Sequence, residues 1–148
     1  VVPETLIPDY PSHVLLHAVP GPQDDFFDQG ATTLFTTRYM VTPKADRMGY
    51  RLQGEKIPIK QGMPKSIVSE PSMPGGIQIP ADEQPIILLV EQTVGGYAKI
   101  ATVISTDIPK VAQATPGDTI SFEKIDLKTA HQIYHDEKKK LAKILESM

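Results

Sequence analysis

Residues 85–105 read PIILLVEQTVGGYAKIATVIS, and this stretch decides how the chain folds. Two apolar runs, 85–91 and 97–105, flank a short polar link that carries Gly95 and Gly96. Both runs are brief and rich in Ile, Val, Thr and Tyr, which fits buried strands better than a helix. The double glycine supports two readings. It is a tight hairpin that needs glycine for its geometry, or a nest of uncovered backbone N–H groups suited to an oxyanion. On the second reading Gln92, Thr93 and Tyr97 line its rim.

Working outward, the same strand-and-turn texture continues. Residues 13–19, 36–42, 46–52, 65–70, 75–80 and 118–125 read as further short strands, separated by turns such as PGPQ (20–23) and TPGD (115–118). Seven or eight short strands with frequent turn signals predict a sandwich or a closed barrel, and closure removes unpaired edges. Residues 24–35 predict a short helix capped by Asp24 and ended by Gly30. Residues 105–113 predict another, capped by Thr106 or Asp107 with Pro109 in its first turn. From Leu127 onward, apolar residues at 130, 134, 141, 145 and 148 follow helical spacing behind Asp126, a good N-cap. That amphipathic helix, about 127–146, needs a surface to pack on.

The 148 residues fit one domain, and 40% of them are hydrophobic, so the chain can bury a core. A net charge of −3 argues against a nucleic-acid partner. No apolar run approaches 18 residues, so no membrane helix is expected. There is no cysteine, which excludes disulfides, thiolate metal sites and cysteine nucleophiles and points to the cytoplasm. The chain begins with Val in a Pro-rich segment, so residues 1–11 read as a connector from a missing N-terminal half.

Three stretches carry chemistry. In DRMGYRL (46–52), strand alternation puts Met48, Tyr50 and Leu52 on the core face and Arg47, Gly49 and Arg51 on the other. Two guanidiniums about 13 Å apart over an open glycine floor make a carboxylate receptor; two solvated arginines on an outer strand are the alternative. In PGGIQIP (74–80), Ile77 and Ile79 face the core and Gln78 faces away, as a substrate-reading amide or a plain surface residue. The glycine link at 95–96 is the third. His131 and His135 lie one helical turn apart, and His13 and His17 share a strand face, but neither pair sits in a metal motif. No metal is assigned.

Taken in order, VPGPQDDFF (19–27), DRMGYRLQG (46–54), SEPSMPGGIQIPADEQPIILL (69–89), QTVGGYAKIATVIS (92–105) and PGDTISF (116–122) closely resemble the C-terminal half of the biotin-dependent carboxyltransferase family, also called allophanate hydrolase subunit 2. The family includes the C subunit of 5-oxoprolinase, KipA-like regulators and the carboxyltransferase region of urea carboxylase. The resemblance implies a mainly β fold: a cyclophilin-like closed β-barrel over residues 12–125 with one or two short helices, followed by a C-terminal amphipathic helix at 126–148. It implies a substrate site built from Arg47, Met48, Tyr50, Arg51, Gln78, Pro80, Gln92, Thr93, Gly95, Gly96 and Tyr97. The function implied is lactam opening of 5-oxoproline to glutamate by a multi-subunit, ATP-dependent hydrolase. The alternatives are carboxyl transfer from carboxybiotin to urea or a related amide, and a KipA-like regulator that binds a histidine-kinase inhibitor. The implied partners are the N-terminal half, a KipI-like B subunit, the A subunit of the same enzyme, and a small-molecule substrate. ATP or carboxybiotin would enter through the complex, with no cofactor bound by this chain and no activity of the chain alone. Peptidyl-prolyl isomerase activity rests on fold analogy and is set aside.

Overall fold

The alternation of apolar residues along His13–Pro20 (β1) sends Val14, Leu16 and Ala18 inward and starts the barrel wall. The computed structural model describes residues 3–27, 30–64, 67, 72–90 and 96–148. Six more strands follow: Tyr39–Val41 (β2), Gly49–Gln53 (β3), Gly76–Ile79 (β4), Ile86–Leu88 (β5), Ala98–Val103 (β6) and Thr119–Lys124 (β7). They close into a barrel in the order β1-β6-β4-β5-β3-β2-β7. β1 and β7 are parallel, with Val14 opposite Ile120 and Leu16 opposite Phe122, and the other pairs are antiparallel. The mainly β, closed-barrel expectation therefore holds. The two runs of residues 85–105 become β5 and β6, which both pair with β4 and not with each other. The expected strand at 65–70 falls almost wholly outside the described residues.

The interior is filled by Leu16, Tyr39, Val41, Leu52, Ile57, Ile77, Ile79, Ile87, Ile100, Val103 and Ile120. Every residue of β4 and β5 is buried. Tyr39 is the largest wholly buried side chain; its ring meets Phe122 edge-on and its hydroxyl donates to the Glu55 carbonyl at 3.1 Å. Burial, assisted by the Glu55 charge, pushes its phenol up to about 12. An unfolded tyrosine ionises near 10, so the unfolded chain loses this proton first and stability falls as pH rises from 10 to 12. The loss reaches about 2–3 kcal/mol, at 1.36 kcal/mol per pH unit. Tyr39→Phe is expected to flatten this alkaline decline in denaturant titrations at pH 8 and pH 11. Tyr50, also raised by burial, keeps a remainder of it.

The helical expectations are met in part. Gly30 opens rather than ends the first helix, Gly30–Thr36 (α1), and Asp24 starts a separate 3-10 turn, Asp24–Phe26. The second helix is Ile108–Gln113 (α2), with Asp107 at its N-cap position and proline in its first turn. Asp107 does not cap it with its side chain. The buried carboxylate turns to the barrel instead: Oδ2 accepts from the His17 backbone N–H at 2.7 Å and lies 2.8 Å from His17 Nδ1, while Lys110 Nζ reaches Oδ1 at 3.1 Å. Glu123 Oε2 stands 3.3 Å from His17 Nε2. Asp107→Ala strands a half-buried N–H and the imidazole together. Its urea midpoint is expected to fall by the equivalent of about 2 kcal/mol; an unchanged midpoint would show that the connection is held by packing alone.

The third helix, Leu127–Ser147 (α3), begins as expected, with Asp126 Oδ1 accepting from the Thr129 N–H at 2.7 Å. That hydrogen bond holds the Asp126 carboxyl below the usual range. Ala130, Ile133 and Ile144 are half-buried, whereas Leu127, Tyr134, Leu141, Leu145 and Met148 stay exposed. Of the predicted stripe only Ala130 is half-buried, and the two residues that turn inward with it, Ile133 and Ile144, were not in that stripe. Among the described residues, no helix is long and apolar enough to cross a membrane.

Candidate functional site

The start of β3 is set by one carboxylate. Asp46 Oδ1 accepts from the N–H groups of Met48 at 2.8 Å and Gly49 at 3.2 Å, and the Asp46 N–H donates to the Gly49 carbonyl at 3.1 Å. Aspartate forms such side-chain turns readily. The strand therefore begins at Gly49 and not at residue 46. The expected alternation does not reach back to Met48, which is 47% exposed instead of packed in the core. Arg47 lies in this turn and lines neither of the clefts described below, so of the two arginines these clefts bring in Arg51 alone.

A second small network presents the partner that replaces Arg47. The Thr42 N–H and hydroxyl both donate to the Arg51 carbonyl, at 3.1 and 2.9 Å. The Lys44 N–H donates to Thr42 Oγ1 at 3.3 Å. The turn that bears Lys44 is thereby fastened to the residue that bears the Arg51 guanidinium. Both side chains are exposed, and neither has an ion-pair partner among the described residues.

Gln78 comes from the next element. The ladder between β4 and β6 shifts register between Ile77 and Gln78: Ile77 faces Ala101 and Gln78 faces Lys99, which leaves Ile100 as an extra residue. Such bulges re-aim side chains and recur near functional sites. Here Ile77 and Ile79 fill the core, while Gln78 points away from it, as expected, yet is only 3% exposed. Its Nε2 donates to Ser72 Oγ at 3.3 Å, and Ser72 is itself buried.

These pieces meet. Lys44, Asp46, Met48, Gly49, Arg51, Gln78, Ile86, Leu88 and Tyr97 line a cleft of about 180 Å³. Met48, Arg51, Gln78 and Tyr97, expected from sequence, are brought together, with Gly49 as the open floor. A Cβ on Gly49 would stand 3.2 Å from the Ile87 carbonyl, so the floor is also close-packed beneath. A second cleft of about 410 Å³ adjoins it, lined by Thr42, Lys44, Arg51, Gln53, Asp82 and Gln84 among others. Lys44, Arg51 and Ile86 line both.

Other expected site residues lie elsewhere. Tyr50 faces the interior, where its hydroxyl donates to the carbonyls of Ala112 at 3.1 Å and Ala114 at 2.8 Å and anchors the end of α2. Pro80 is buried, and its carbonyl accepts the Glu83 N–H at 2.9 Å in a turn. Gln92, Thr93 and Gly95 lie outside the described residues. Gly96 has no left-handed φ; its carbonyl accepts the Ile67 N–H, and the Ile67 backbone fills the space a Cβ would need. At Gly96 glycine serves close backbone approach. Lys44, Asp46, Ile86 and Leu88 were missed. Asp46 had a legible signal, an aspartate three residues before a glycine at a strand start. Lys44 had none, because its place depends on the Thr42 network.

The family model for the carboxyltransferase domain, subdomain A and B, matches residues 1–124. The C subunit of 5-oxoprolinase from Escherichia coli is 33% identical over 126 residues, 84% of this chain and 40% of that protein. Its counterpart from Haemophilus influenzae is 44% identical over 90 residues, 60% of this chain and 28% of that protein. The chain thus spans less than half the length of these curated relatives. The crystal structure of Kluyveromyces lactis urea carboxylase superimposes on 97% of this chain with a TM-score of 0.85, using 14% of its own length at 23% identity, a likeness of fold.

Proposed function

This chain belongs to the carboxyltransferase domain family, subdomains A and B, and from that membership we propose that it forms part of a 5-oxoprolinase C subunit, which binds a small carboxylate-bearing lactam for ATP-dependent opening to glutamate. The observation that carries the reading is the smaller cleft. At about 180 Å³ it falls below the roughly 300–1,000 Å³ of drug-sized pockets, so it suits a compact substrate. Arg51 offers the planar donor fork that fits a carboxylate. Gln78 offers an amide that both donates and accepts, the complement of a lactam. Ile86, Leu88 and Met48 supply an apolar wall for ring methylenes.

The described lining contains no His, Ser, Thr or Cys side chain. On this reading the cleft binds and orients, while activation of the amide falls to ATP and the partner proteins. Three partners are proposed: the remainder of the same polypeptide, a KipI-like B subunit, and the A subunit of the enzyme. The test is glutamate release from 5-oxoproline and ATP by the full-length protein carrying this chain, reconstituted with those partners. Activity that vanishes when this protein is omitted supports the reading. Activity that persists without it, or an intact complex with none, overturns it.

A further inference from the structure

The helix α3 runs for 21 residues and buries none of them. Helices in proteins draw most of their stability from packing an apolar face. This one touches the barrel at β1 and at the Ser105–Asp107 turn, with only Ala130, Ile133 and Ile144 half-buried. The large apolar side chains it leaves exposed are Leu127, Tyr134, Leu141, Leu145 and Met148, between 41% and 79% exposed. Leu127, Tyr134, Leu141 and Met148 follow one another at seven-residue intervals, and Leu145 stands four beyond Leu141. His131 and Lys138 hold the two corresponding places in the earlier heptads, so the steps along the stripe are 4, 3, 4, 3, 4 and 3. That is the a/d seam of a coiled coil, whose 3.5-residue period fits a second helix rather than a flat surface. No large apolar side chain of α3 is exposed off this seam.

The two polar seam residues point to which helix fits. In a parallel pair of copies Lys138 faces Lys138 and His131 faces His131, which sets like groups against each other. In an antiparallel pair with Leu127 opposite Leu145 of the second copy, His131 falls opposite Leu141 and Lys138 opposite Tyr134. Each polar residue then meets an apolar or aromatic one, and Lys138 gains a ring face of the kind it already seeks on its own helix, where Nζ lies 5.1 Å from the Tyr134 ring centre. The seam, about 30 Å long, is thus complementary to itself about a two-fold axis. We infer that α3 is a dimerisation helix, pairing antiparallel with α3 of a second copy of this chain in a two-stranded coiled coil centred between Tyr134 and Lys138. The edge that bears Ile133 and Ile144 stays on its own barrel, so pairing requires no rearrangement. No residue of α3 lines the two clefts around Arg51, so the inference stands independently of the proposed reaction.

The test uses the full-length protein that carries this chain, followed by sedimentation velocity across a wide concentration range. A monomer–dimer equilibrium is expected. Leu145→Glu, at a position 72% exposed in the single copy, should leave the fold intact and weaken the dimer about tenfold or more by placing a charge in the seam. Lys139→Gln makes the same one-unit change of charge off the seam and should leave the dimer unchanged. Because this chain has no cysteine, orientation is read by oxidation, with any cysteine outside it replaced. Leu127→Cys and Leu145→Cys introduced together lie about 27 Å apart on one helix, beyond the reach of a disulfide within the chain, and should give a covalent dimer. Lys138→Cys alone should give none. A monomer at every concentration, as when the rest of the polypeptide covers α3, overturns the inference. So does a dimer indifferent to Leu145→Glu, or cross-linking through Lys138→Cys in place of the 127–145 pair.

Discussion

Gly75→Ala is expected to destabilise the barrel by about 3 kcal/mol or more, roughly 10 °C in Tm for a chain of this size. Two independent costs meet at this residue. Its φ is +92°, a conformation that costs an L side chain about 1–2 kcal/mol. A Cβ there would also stand 2.5 Å from the Val103 carbonyl oxygen, which is backbone and cannot swing aside. The Gly75 N–H donates to Leu88 and its carbonyl accepts from Val103, at 2.7 and 2.8 Å, so any retreat pulls on β5 and β6 together. Gly62 provides the control. Its φ is +88° but nothing lies within 4 Å of its Cβ position. Gly62→Ala should therefore cost only the conformational share, about 1–2 kcal/mol. Equal losses in the two variants, read by thermal melting, would show that the close approach to Val103 contributes nothing. Since Gly75 immediately precedes β4, its variant should also displace Gln78.

Arg51→Ala is expected to raise the KM for 5-oxoproline about 10- to 100-fold, with a smaller change in kcat. A charged hydrogen bond to a carboxylate contributes about 1.5–3 kcal/mol, and each 1.4 kcal/mol is a factor of ten. The side chain is exposed and the Arg51 backbone carbonyl, which Thr42 grips, is present in any residue, so the fold should survive. Lysine at this position keeps the charge but loses the planar fork and should recover the KM only in part. A kcat/KM equal to wild type in Arg51→Ala would remove the carboxylate role. A fall in kcat with KM constant would move Arg51 from substrate binding to the reacting atoms.

The barrel was legible because its cause is local. Short β-branched runs and turn residues mark the strands, and all seven lie within or overlap predicted runs. The partnering was less legible: β5 and β6 follow one another in sequence, yet both pair with β4, and only closure of the barrel settles that. Helix starts were clear where a side chain caps them, as at Asp126, and misleading where the side chain was drawn elsewhere, as at Asp107. At the site, Arg51 and Gln78 followed from alternation on strands that formed. Met48 escaped it because the Asp46 turn delays β3 to Gly49. Lys44 joins the cleft through the hydroxyl of Thr42 and the backbone of a residue nine positions from that threonine, a contact that no period in the sequence encodes.

The most direct test of the central claim is a crystal structure of the assembled complex with 5-oxoproline bound. The account predicts the ligand in the smaller cleft, its carboxylate paired with Arg51, its lactam against the Gln78 amide and its ring on Ile86 and Leu88. A ligand held by other proteins of the complex, with this cleft in contact with none of it, would contradict the account.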